Sequence, residues 1–288
     1  MAFASGWKRR APVLGAMVGA AVAIAACGGD GDEAKTLSID ASGSRAKPTL
    51  KAPATAEAGL TEITLTNDSP GPVDAQLLRV EGNHSPQQVV QEGLSAAISG
   101  KPFPSWFFAG GGVGSIGPDE SATAQEVLQP GTYYVVNTEA DGRPDVKSLP
   151  AIKVTGEESD AELPGTDATV TAIDYGFETE GELKVGENEI TFANTGGQPH
   201  HIIATQLVKG ATAKQAEQFL KTEKGKPPFA GGPDDSPTTA VVEGGESQVI
   251  TLDLPKPGKY ALYCFITDRQ GGPPHVFKGM VDEAEVSG

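Results

Sequence analysis

The chain repeats itself, and that repeat constrains the fold more than any other feature of the sequence. GLTEITLTND begins at Gly59 and GENEITFANT at Gly186, so that Glu62-Ile63-Thr64 matches Glu189-Ile190-Thr191 and Asn67 matches Asn194, 127 residues apart. The same offset joins PGTYYVVN at Pro130 to PGKYALYC at Pro257. Two distant anchors at one spacing mark a duplication, so the two halves should fold alike. Between the anchors small insertions and deletions cancel, because FAGG begins at Phe108 in one half and at Phe229 in the other.

Both halves carry runs of Thr, Val, Ile and Tyr bounded by Gly, Pro and Asn turns, with one helical insert that opens at a cap-like Ser85 or Thr212. Short strands of period two predict an all-β chain of two Greek-key β-sandwiches, each with a helical insert. Two unrelated α/β modules would need repeated helices that the pattern lacks. The acidic break Gly156-Glu157-Glu158-Ser159-Asp160 separates the halves, giving domains at 36–156 and 166–288.

The N-terminus speaks to compartment. Lys8, Arg9 and Arg10 precede an apolar stretch, Ala11 to Ala26, too short and too rich in small residues for a stable membrane span; residues 1–26 read as a secretory signal. Ile24-Ala25-Ala26-Cys27 resembles the lipobox of bacterial lipoproteins, in which the cysteine is acylated and becomes the first mature residue. Ordinary cleavage with an incidental cysteine is the alternative. The Gly- and Asp-rich segment 27–35 reads as a flexible acidic spacer. The expectation is an extracytoplasmic protein lipid-anchored to the cell membrane through Cys27.

The formal net charge is −16, and removing a signal with three basic residues leaves −19. Such a surface disfavours nucleic acid as a partner. Solubility alone accounts for the acidity; steering toward a basic partner is the functional alternative.

Past the spacer the chain has one cysteine, Cys264, and one methionine, Met280, with His275 between them and His200-His201 upstream. Thiolate, imidazole and thioether are the donors that suit copper. Taken singly, each residue is better read as core filler or surface. A free thiol in an oxidising compartment, however, needs burial or a metal to protect it.

The second half, over about residues 167–285, resembles the cupredoxins, the plastocyanin and azurin family of blue copper proteins. NTGGQPHHI at Asn194 has the form of the Asn-rich turn followed by Pro-His, and YALYCFITDRQGGPPHVFKGM has the later strand and loop that bring cysteine, histidine and methionine. Four residues separate His275 from Met280, as in plastocyanin-like members; ten separate Cys264 from His275, which departs from plastocyanin and is closer to the blue-copper domain of two-domain nitrite reductases. The resemblance implies one type 1 copper with His200, Cys264 and His275 as equatorial ligands and Met280 as the axial one, and Asn194 fixing the ligand loops through hydrogen bonds. His200 is preferred over His201 because the duplicate places Val73 opposite His200 and Asp74 opposite His201; with Val73, Ala75 and Leu77 facing inward, His201 is expected to be an exposed neighbour.

In the first half Val73 stands at the position of the first histidine and Asn137 at that of the cysteine, so this domain is expected to bind no copper. His84 reads as a surface or cap-adjacent residue. The apolar stretch Pro102 to Phe108 reads as a core-covering loop, with a docking patch as the alternative. Multicopper oxidases and copper nitrite reductases also use tandem cupredoxin folds but need further histidines, and only His84 and His201 remain; the expectation is therefore not an enzyme but an envelope protein carrying single electrons between redox protein partners. A copper carrier and a metal-free binding or structural lipoprotein are the alternatives.

Overall fold

The structure is a computed structural model that describes residues 34–139, 146, 149–232 and 236–288. The signal segment, Cys27 and most of the spacer lie outside the described residues. The first half contains β1 (Lys35–Ser44), β2 (Lys47–Lys51), β3 (Thr55–Glu57), β4 (Gly59–Asn67), β5 (Val73–Val80), β6 (Phe107–Ile116), β7 (Ser121–Leu128), β8 (Gly131–Val136) and β9 (Ala151–Thr155). The second contains β10 (Ala168–Ile173), β11 (Gly176–Gly181), β12 (Leu183–Lys184), β13 (Gly186–Asn194), β14 (Ile203–Gln206), β15 (Ser247–Leu254), β16 (Gly258–Tyr263) and β17 (Val281–Ser287).

The alternation legible in the sequence becomes the sandwich. Along β4 every second residue is buried, placing Ile63 and Leu65 inside, and β13 does the same from Asn188 onward with Ile190 and Phe192. Burying each such side chain contributes roughly 1.5–3 kcal/mol. In each half the first strand runs parallel to its neighbour, β1 to β4 and β10 to β13. A five-stranded sheet, β3-β9-β8-β5-β6, covers the first half and a four-stranded one, β12-β17-β16-β14, covers the second. The halves share the other layer, an eight-stranded sheet ordered β11-β10-β13-β15-β7-β4-β1-β2. Its join is antiparallel pairing of β15 with β7, where Gln248, Val249 and Ile250 face Glu126, Gln125 and Ala124.

The fold is cupredoxin-like in both halves. Each helical insert begins as its capping residues dictate. Ser85 Oγ accepts the Gln88 N–H and Gln88 Oε1 accepts the Ser85 N–H, opening α1 (Pro86–Gln88); a wider π turn (Val89–Leu94) and α2 (Ser95–Ser99) follow. Thr212 and Gln215 cap α3 (Ala213–Thr222) in the same way.

A strip at 238–243 seals the joint between the halves. Gly111 N–H donates to Val241 O and Ser115 N–H to Thr238 O, while the buried Gln76 side chain donates to Val241 O and accepts the Val241 N–H. The other edge of the strip pairs with His200 through Val242.

Candidate metal centre

β13 delivers the chain into a tight turn closed by Asn194, whose amide donates to Gln198 O at 2.8 Å and to Val242 O at 3.0 Å and whose Oδ1 accepts the Gly196 N–H. Directly after the turn, His200 exchanges two backbone hydrogen bonds with Val242, which locks it between the layers. β16 ends at Tyr263 and hands over Cys264; His275 N–H returns to Ile266 O and Val276 N–H to Cys264 O. His275 opens a single 3₁₀ turn ended by Gly279 at φ 102°, and Met280 N–H closes on His275 O.

These local devices bring together His200, Cys264 and His275, all fully buried, with their ligand atoms within 4.8 Å of one another. The two imidazole Nδ1 atoms lie 3.0 Å apart and Cys264 Sγ lies 3.6 Å from His275 Nδ1. Met280 is fully buried in the same apolar cluster as Cys264.

Two carboxylates, which no local pattern in the sequence singles out, complete the site. Asp174 lies 2.9 Å from His200 Nε2, and Asp268 lies 3.0 Å from His275 Nε2. Asp174 is in the turn between β10 and β11 and Asp268 in the long ligand loop, so only the folded chain sets one above each imidazole. A carboxylate can only accept, which makes Nε2 the protonated nitrogen of each ring and leaves both Nδ1 lone pairs turned inward. Tyr175 Oη donates to Asp268 and accepts from Lys278, which also pairs with Asp268. Burial tends to raise the Asp268 carboxyl, but the hydrogen bonds from Lys278 and Tyr175 outweigh it and hold the carboxyl below its usual range.

The electrostatics fit a soft cation. Burial lowers both imidazoles, with His275 down to about 4 and further depressed by His200, so both are neutral at pH 7. Burial pushes the Cys264 thiol up to about 12, against backbone N–H groups of His201 and Ile266 turned toward the sulfur. Two lone pairs 3.0 Å apart beside a thiol that ionises only against positive charge form a donor set that a bound metal stabilises and that is poorly satisfied otherwise. Nitrogen, nitrogen and thiolate with a nearby thioether is the set that suits copper.

His201 corrects one expectation: it is only 9% exposed, not an outward-facing neighbour. Alternation fails there because β14 starts only at Ile203 and the segment before it pairs with the strip at 238–243, His200 with Val242 and Ile202 with Thr239, and not with a strand of the sheet. Its Nε2 accepts the Phe265 N–H at 3.0 Å, clipping the backbone next to Cys264, and burial lowers it to about 3. His84 lies outside the cluster, stacked on Trp106 with centroids 3.9 Å apart. In the first half Val73 is fully buried and Asn137 stands where Cys264 stands in the second.

No protein-family model and no curated protein matches the chain. Among solved structures, the reduced auracyanin of the photosynthetic bacterium Roseiflexus castenholzii is 20% identical, with a TM-score of 0.29 over 42% of this chain and 95% of its own. The copper nitrite reductase of Nitrosomonas europaea is 15% identical, TM-score 0.24, over 88% of this chain and 94% of its own. The blue copper oxidase of the same organism is 12% identical, TM-score 0.24, over 88% and 86%. At these identities the likeness is one of fold. The matches that span both halves nevertheless correct the expectation that the chain is not an enzyme: chains of this two-domain build include a reductase and an oxidase, so a count of leftover histidines does not exclude catalysis.

Proposed function

We propose that this chain holds one type 1 copper, with His200, Cys264 and His275 as equatorial ligands and Met280 as the axial one, and passes single electrons through it. The observation that carries the reading is the convergence of the His200 and His275 Nδ1 atoms on Cys264 while their Nε2 atoms are held by Asp174 and Asp268. Copper in such a set cycles between Cu(I) and Cu(II) with little change of geometry.

The chain's own residues supply the constancy that electron transfer needs. Asp174 and Asp268 fix ring orientation, the Asn194 turn and the His201–Phe265 clip fix the backbones that carry the donors, and full burial keeps water from the sulfur. Buried donors also disfavour a copper carrier, which has to expose its ligands to a recipient. Partners would be redox proteins of the cell envelope meeting the chain through small transient interfaces, with the protein held at the outer membrane face through Cys27; the basic-then-apolar N-terminus supports that placement.

The test is the visible spectrum of the full chain after addition of Cu(II). An intense band that disappears in Cys264→Ser supports the copper-thiolate centre. A colourless protein that retains no copper overturns it.

A further inference from the structure

The long Cys264-to-His275 loop does not stand by itself. It carries no strand and no helix before His275, and its sequence, FITDRQGGPP, would leave many conformations open. A segment of the other domain lies across it. Gly272 N–H donates to Gly100 O at 2.9 Å and Phe103 N–H donates to Arg269 O at 2.7 Å. The approach is so close that a methyl group on Gly271 would sit 2.6 Å from Gly100 O, and one on Gly100 would sit 2.7 Å from Gly272 O.

Arg269 ties the two together. Its guanidinium pairs with Glu243 at 2.8 Å, donates to Phe107 O at 3.0 Å and to Pro104 O at 3.4 Å, and lies 4.5 Å over the Phe108 ring. Glu243 reaches back in turn to accept the Ala109 N–H at 3.0 Å. The Arg269 backbone N–H donates to Gln198 Oε1 at 2.8 Å, inside the turn that delivers His200, and Arg269 directly follows Asp268, which holds His275. One residue thus joins the metal-free half to the supports of both imidazoles.

We propose that segment 100–109 of the first domain is a strap that clamps the ligand loop of the second, with Arg269 as its positioning residue, and that presetting the copper donors is the work of the metal-free domain. The consequence for copper rests on the type 1 reading above; the clamp itself does not. Pro102 to Phe108 thereby does two things at once, since Phe107 is buried in the first domain's core with Leu78, Val80 and Tyr134 while the backbone around it faces the other domain.

The test uses the full chain with Arg269→Ala, Arg269→Lys and, on the opposite side of the joint, Gly100→Ala. Amide exchange over 266–274 in the metal-free protein is expected to rise at least tenfold in Arg269→Ala and Gly100→Ala, while Arg269→Lys, which keeps the charge but not the planar fork, falls between. With copper bound, release to a chelator is expected to be roughly 10- to 100-fold faster and the visible band to shift. Exchange and release that match the parent chain in both alanine variants overturn the proposal. A parent chain that never develops the band overturns the copper reading, and exchange still decides the clamp.

Discussion

The two halves use one scaffold for different contents. In the second, His201 Nε2 accepts the Phe265 N–H; in the first, Asp74 at the duplicate position accepts the Thr138 N–H at 2.5 Å, and Thr138 is the duplicate of Phe265. In the second, Asn194 closes a turn on Gln198 O; in the first, Asn67 closes its turn on Gly71 O at the same distance, 2.8 Å. The clip and the turn persist where Val73 and Asn137 replace donors, so they belong to the fold and not to the metal. What distinguishes the second half is the set of side chains placed between these fixed points, together with a loop that the first half helps to hold.

The largest effect that can break this comparison is at Cys264. Cys264→Ser should abolish the visible band completely while leaving the far-ultraviolet circular dichroism of the sandwich unchanged. A band that survives would mean that the colour does not come from a copper thiolate at Cys264. The converse variant, Val73→His with Asn137→Cys, should create no second band, because the first half has no counterpart of His275 or Met280. It should also cost on the order of several kcal/mol in chemical denaturation, since the new imidazole would be buried without a partner at the fully buried Val73 position.

Acid and base responses should separate the halves next. Burial raises Asp74 to about 7 from an ordinary 3.8, so the fold favours its protonated form. Its contribution is full below the unfolded value and is lost as pH rises through about 7. His201 is depressed to about 3, so its contribution is full above pH 6.5 and is lost as pH falls toward 3. Asp74→Asn should therefore flatten the loss of stability of the metal-free chain between pH 4 and 7, by up to roughly 4 kcal/mol, and His201→Gln should flatten the opposite slope below pH 6.5. Thermal melts across pH 4 to 8 give both slopes; identical profiles in parent and variants would refute the assignment.

The smallest effect sharpens the comparison most. Asn67→Ala and Asn194→Ala should each cost about 1–3 kcal/mol, because each removes two side-chain hydrogen bonds to backbone carbonyls, to Gly71 O and Gly117 O in the first half and to Gln198 O and Val242 O in the second. Only Asn194→Ala should also shift the copper band. Equal spectra with unequal stabilities would show that the two turns are not equivalent.

The sequence by itself determined the duplication, the all-β sandwiches, the capped inserts and the cluster of His200, Cys264, His275 and Met280. All of these are written in spacing and residue type, which act locally: period two sets a strand's faces, Ser85 and Thr212 set helix starts, and scarce donors gathered at one end of a strand stand out. Tertiary structure alone decided the rest. Asp174 and Asp268 meet the imidazoles across loops that share no local pattern, His201 turns inward because its segment is not yet a strand, and Arg269 reads as an ordinary surface cation until residues 100–109 are laid across it. Apart from Asp268, which meets His275 within one loop, those contacts join residues far apart in the chain, and all are hydrogen bonds that any Asp, His or Arg could make, so nothing short of the packed fold selects which ones do.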